Sequence, residues 1–77
     1  MPRAERDPAL AAVLKRLREE HDEAQESLAH RAGISKGALQ EIEAGRSAPG
    51  WATVRRIARA LNVSMEELGA AIDAADH

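Results

Sequence analysis

The 77-residue sequence predicts an all-α domain of five short helices. Three observations predict it. Aliphatic residues recur at helical spacings in five separate segments, with the full three, four and seven in the first and fourth, which marks one buried face on each. No segment alternates apolar and polar residues for long enough to make a half-buried strand. The apolar 44% is mostly alanine, leucine, valine and isoleucine, and Trp51 is the only aromatic residue, so the core must come from aliphatic packing between helices.

Each helix has a start, an inner face and a stop. Asp7 followed by Pro8 opens the first, since a carboxylate accepts from free amides and proline loses nothing in a first turn. Its inner face is Leu10, Val13, Leu14 and Leu17, and it ends near Glu20. Asp22 and Gln25 have capping-box spacing and can start the second helix early. Leu28, Ala29 and Ala32 line that helix before Gly33, which suits a turn at positive φ. Ser35 caps a third helix of about ten residues, with Leu39 and Ile42 inside and Gly45 as its stop. The loop from Arg46 to Gly50 is rich in breakers and delivers the chain to Trp51. The fourth helix then buries Val54, Ile57, Ala58 and Leu61 and ends at Asn62, a residue that tolerates the left-handed region. Ser64 and Glu67 form a capping box for the fifth, whose apolar residues are Met65, Leu68 and Ile72. That helix fades into Ala74, Ala75, Asp76 and His77. The whole chain, residues 1–77, reads as a single domain, with the fifth helix and an acidic tail over residues 65–77.

Composition excludes several function classes. Without cysteine there is no disulfide scaffold, thiolate zinc site or thiol nucleophile. No apolar run approaches the roughly 18 residues that a membrane span needs, and residues 1–20 hold no hydrophobic signal core. A soluble, cytoplasmic protein with no membrane partner is therefore expected. His21, His30 and His77 share no metal-ligand spacing with each other or with carboxylates. Ser27, Ser35, Ser47 and Ser64 have no neighbouring base, and the Glu19–Glu20 and Glu66–Glu67 pairs have the spacing of solvated helix faces. These residues point to no enzyme, no metal, no cofactor and no small-molecule ligand. Net charge is −2, but it is unevenly placed. Residues 25–62 carry Arg31, Lys36, Arg46, Arg55, Arg56 and Arg59 against Glu26, Glu41 and Glu43, whereas the segment beyond them is purely acidic.

The most informative stretch is residues 25–44, QESLAHRAGISKGALQEIEA. Two short helices are separated by a turn too tight for them to lie antiparallel. Ala29 is small where the second helix crosses the first, Gly33 makes the turn, Ile34 plugs the corner, and Leu28, Leu39 and Ile42 close the core. That is a helix-turn-helix pattern. Here the chain resembles the lambda-repressor-like, xenobiotic-response-element (Cro-like) class of helix-turn-helix DNA-binding domains. The resemblance spans about residues 10–72, with LKRLREE before the motif, IEAGRSAPGWATV after it and IARALNVSMEEL at the end.

The resemblance implies a compact five-helix domain that acts as a sequence-specific transcriptional regulator on double-stranded DNA. In that arrangement the third helix enters the major groove. Because Leu39 and Ile42 point inward, Ser35, Lys36, Gly37, Gln40 and Glu41 face outward as base readers. Lys36 can donate to guanine, Gln40 can pair an adenine edge and Glu41 can accept from cytosine N4. Gln25 matches a family glutamine that meets a phosphate at the start of the second helix. Arg46, Ser47 and the amides near Gly50 can hold another phosphate. Arg18 and Glu43 match a family pair in which the arginine faces the DNA backbone, and an exposed pair of this kind adds only about 0 to 1 kcal/mol. Two departures stand out. Asp22, Glu23 and Ala24 replace a usual glycine, apolar residue and hydroxyl cap. Trp51 replaces a usual leucine, as either a core plug between the third and fourth helices or a phosphate contact through its indole N–H. Met65, Leu68, Ala71 and Ile72 give the fifth helix more apolar surface than so small a body can cover, which predicts a homodimer on a two-fold-related operator. Glu41 and the net charge favour the alternative, a protein-interaction or antitoxin-type module that keeps the fold with weak or no DNA binding.

Overall fold

A computed structural model describes residues 7–76 of the chain. Its elements in order are α1 (Pro8–Glu20), α2 (Gln25–Ala32), α3 (Lys36–Glu43), α4 (Trp51–Ala60) and α5 (Met65–Ala75). His77, which entered the metal argument, lies outside the described residues.

The caps show why the helices begin where they do. The Asp7 side chain accepts from the amides of Ala9 and Leu10, at 3.0 and 3.1 Å. Ser35 accepts from Ala38 N–H at 3.0 Å and caps α3. Ser64 and Glu67 exchange two 3.0 Å bonds in the expected capping box, which holds the Glu67 carboxyl below its usual pKa. Asn62 sits at φ 61°, the left-handed position that ends α4.

The start of α2 differs from expectation. Asp22 does not cap it: Asp22 has φ 54° and closes the turn after α1, its N–H donating to Glu19 O at 2.9 Å. An N-cap needs extended backbone, and Ala24 holds that position without a side-chain cap. Glu23 supplies the local carboxylate instead. It accepts from Ser27 Oγ at 2.9 Å and from Arg31 Nε and Nη2 at 2.9 and 2.6 Å, bonds that hold its own pKa low. The third helix is also shorter than expected, eight residues rather than about ten, because the chain already leaves α3 at Ala44 and turns at Gly45 with φ 75°. Ala74 and Ala75, expected to fray, are helical.

The core is the aliphatic set that periodicity selects. Val13, Leu14, Leu28, Ala29, Leu39, Ile42, Ile57, Ala58, Leu61 and Leu68 form one buried cluster, and Ile34 packs against it from the turn. On α1 the inner face is broader than the leucine pattern suggests. Ala9 and Ala11 are buried, while Leu10 and Leu17 are only half-buried. Helix α2 packs on α3 and α4, and α1 packs on α3 and α5. Among the described residues no helix is long and apolar enough to cross a membrane.

One buried charge joins three of these helices. Glu43, at the inner end of α3, accepts from Arg18 Nε and Nη2 of α1 at 2.8 and 3.0 Å and from Gln25 Nε2 of α2 at 3.0 Å. Arg18 Nη1 donates to Glu23 O at 2.8 Å, so the guanidinium also braces the α1–α2 turn. The pair expected at the surface is therefore largely enclosed, with side-chain exposures of 12% for Arg18 and 3% for Glu43. Its bonds to Glu43 raise the Arg18 pKa above its ordinary value.

Two consequences can be measured by chemical denaturation. Glu43→Ala should cost roughly 3 kcal/mol, because it leaves the Arg18 charge and the Gln25 amide half-enclosed without their acceptor. A loss below about 1 kcal/mol would place the pair with ordinary surface pairs. Gly33→Ala meets no atom within 4 Å, yet φ is +73° there, so backbone strain alone should cost about 1 to 2 kcal/mol. Gly37→Ala, equally open but helical, should instead gain about 0.5 to 1 kcal/mol. Equal effects at the two glycines would contradict the conformational argument.

Candidate nucleic-acid interface

Helices α2 and α3 are set at a corner by three residues. Gly33 takes φ 73° and ψ 29°, and the Ile34 N–H returns to Ala29 O at 3.0 Å, which closes the last turn of α2. Ser35 then restarts the chain as the cap of α3. With Leu39, Ile42 and Glu43 turned inward, the opposite face carries Ser35, Lys36, Gly37, Gln40 and Glu41, all exposed. The five expected base readers thus share one solvent-facing surface.

The residues assigned to phosphate are more varied. Arg18 meets Glu43 as expected, and Gln25 joins the same carboxylate, so both donors act inside the domain. Arg46 does not stand alone in its loop: its Nε and Nη2 donate to Glu41 Oε2 at 2.9 and 2.6 Å, and this pairing raises the arginine pKa. The sequence alone does not signal this pairing of the two residues. Their five-residue separation spans a helix end and a turn, which no helical period describes. Ser47 is half-buried in the same loop, and Gly50 is the exposed N-cap of α4.

Helix N-termini divide into two groups. Those of α1, α3 and α5 are closed by Asp7, Ser35 and Ser64, whereas α2 and α4 begin at Ala24 and Gly50 with no side-chain cap. First-turn amides and the positive end of the helix dipole are available to an anion at such termini.

Trp51 is not a core plug between α3 and α4. It is 67% exposed and lies over an apolar groove of about 290 Å³, lined also by Leu10, Val54, Met65, Gly69 and Ile72. The core is already filled by aliphatic side chains from all five helices, and a first-turn position on α4 leaves the indole at its margin. Leu68, expected on the dimer surface, is 1% exposed and belongs to that core. Met65, Ala71 and Ile72 stay half-buried at the surface of α5.

The helix-turn-helix geometry agrees with comparison to known proteins. No curated protein matches the sequence. Among solved structures the fold is similar to that of the clp gene regulator ClgR from Corynebacterium glutamicum. The TM-score is 0.85 at 25% identity, over 95% of this chain and 78% of that one. The sequence matches the family described as Helix-turn-helix over residues 14–68, from the core leucine of α1 to that of α5. On that match, and with its turn at Gly33 and its outward-facing α3, the chain belongs to the helix-turn-helix family, in its lambda-repressor-like, Cro-type form.

Proposed function

We propose that this domain is a sequence-specific DNA-binding transcription regulator that lays α3 in the major groove and occupies a two-fold-related operator as a dimer. The observation that carries the reading is the separation of the faces of α3. Leu39, Ile42 and Glu43 are spent on the body, while Lys36, Gly37, Gln40 and Glu41 project from it together. A helix held this way fits a groove that admits one helix, and its exposed side chains meet base edges. The uncapped starts of α2 and α4 support phosphate contacts on either side, joined by Arg46 and Ser47 from the loop between α3 and α4. Arg18 supports them indirectly, since its bonds to Glu43 and to Glu23 O fix the start of α2. The solved regulator of similar fold is consistent with the same role.

The dimer is supported by the apolar groove at α1, α4 and α5. Among the described residues Trp51 is the only exposed large hydrophobic side chain, and Met65 and Ile72 flank it on α5. Indole anchors of this kind are enriched at the centres of protein interfaces. Two-fold symmetry would set the recognition helices about 34 Å apart, one turn of DNA.

A salt series with random-sequence duplex tests the DNA reading, because phosphate contacts release counterions and affinity must fall as salt rises. Absence of any such binding would favour the protein-interaction alternative. Lys36→Ala should relax preference at one base position, at a cost of about 1 to 3 kcal/mol on sites selected from a random pool. Equal losses on selected and random duplexes would remove Lys36 from the base readers. For the dimer, Trp51 emission should be water-like in dilute protein and shift to the blue with concentration, in parallel with sedimentation. Trp51→Ala should weaken association with little change in the stability of the monomer. A monomer at high concentration, both free and on a palindromic duplex, would refute the dimer.

A further inference from the structure

The outer face of α3 carries an ion pair whose two members have different expected partners on DNA. Arg46 lies just past Gly45, whose φ of 75° folds the chain back so that the Arg46 N–H donates to Glu41 O at 3.0 Å. The same turn brings the side chains together, with Arg46 Nε and Nη2 on Glu41 Oε2 at 2.9 and 2.6 Å. Side-chain exposures of 62% for Arg46 and 51% for Glu41 leave the pair open to an approaching ligand, and a pair in water is cheap to open.

A carboxylate seated on the Nε and Nη2 edge of a guanidinium holds the place that a phosphate oxygen would take. Arg46 cannot offer that edge to Glu41 and to DNA at once. Release of Glu41 beside a phosphate backbone leaves a carboxylate in a strongly negative groove. The release becomes favourable where a base presents an exocyclic amine to it, cytosine N4 above all. We propose that the Glu41–Arg46 pair is a specificity device, in which Arg46 passes from Glu41 to a phosphate only where a base edge accepts the displaced carboxylate. The phosphate contact, by itself blind to sequence, thereby becomes conditional on base identity. This rests on α3 being the recognition helix. It also gives the acidic residue of the recognition face a function: Glu41 suppresses binding to random DNA and rewards one base.

The test compares the full chain with Glu41→Gln, Arg46→Ala and the double variant. Each is titrated, over a salt series, with a random-sequence duplex and with a duplex selected by the wild-type chain from a random pool. Both positions are exposed, so folding should persist, and thermal unfolding of each variant checks this. On the random duplex Arg46→Ala should weaken binding only slightly, through the Glu41 charge it uncovers, and by less than on the selected duplex, where a phosphate contact is lost as well. On the selected duplex it should bind more weakly, with the slope lower by about 0.9, one phosphate contact. Glu41→Gln should bind the random duplex several-fold more tightly, with the slope steeper by about 0.9, and narrow the ratio of selected to random affinity. Adding Arg46→Ala to Glu41→Gln should abolish that gain. Equal weakening of both duplexes by Arg46→Ala overturns the exchange and leaves an ordinary phosphate contact. A Glu41→Gln gain that persists without Arg46 also overturns it, as simple relief of repulsion. Failure of the wild-type chain to bind any duplex would overturn the DNA reading itself. That result is distinct from intact binding with the wrong variant pattern, which overturns the exchange alone.

Discussion

The rest of the structure depends on how Glu43 is buried. A carboxylate at 3% exposure is costly unless donors surround it, and its donors come from two other helices, Arg18 on α1 and Gln25 on α2. Aliphatic packing through Leu39 and Ile42 can hold α3 against the body while tolerating some rotation about its axis. Three charge-assisted or amide hydrogen bonds to one side chain tolerate far less, because each is directional. The bonds therefore select the face of α3 that points inward, and so the face that points out. They also explain how α2 can begin at Ala24 with no side-chain cap. Arg18 holds the preceding carbonyl of Glu23, and Glu23 in turn binds Ser27 and Arg31 along the outside of α2. An anchor that looks like a surface pair in the sequence thus acts as an interior hinge pin.

Charge is segregated over this frame in a way that the net value of −2 conceals. Helix α4 exposes Arg55, Arg56 and Arg59, whereas α5 exposes Glu66, Glu67 and Asp73, with Asp76 at its C-cap. Whole-chain charge bears on solubility and on long-range attraction, while the fields felt by a partner belong to faces. On the outer face of α3 the charges are mixed, with Lys36 near the start and Glu41 paired to Arg46 near the end. A face of this kind attracts phosphate less strongly than a uniformly basic one.

Trp51 stands outside the core at a position where the family resemblance implies a leucine. At the first position of α4 an aliphatic residue can tuck beneath the helix, but an indole is too large for a core already closed by Val54, Ile57 and Leu68. The ring remains outside and turns a shallow margin among α1, α4 and α5 into an apolar groove. Among the described residues Trp51 is the exposed large hydrophobic side chain.

The sequence by itself determined the five helices, because periodicity, caps and breakers are local. Asp7, Ser35 and Ser64 act on amides two or three residues away, and Gly33 and Asn62 act on their own φ. The same locality made the outward face of α3 legible, since Leu39 and Ile42 already define its reverse. Only the tertiary structure decided what depends on distance through space. The burial of Arg18 and Glu43 requires two residues 25 positions apart to meet, and the exposure of Trp51 requires knowing how much room five helices leave. The burial of Leu68 and the surface position of Met65 follow from how α5 lies against α1, as neighbours on one helix face share a period but differ in depth. The Glu41–Arg46 pair arises at the junction of α3 and its loop, where helical spacing ends and the turn at Gly45 sets which side chains meet.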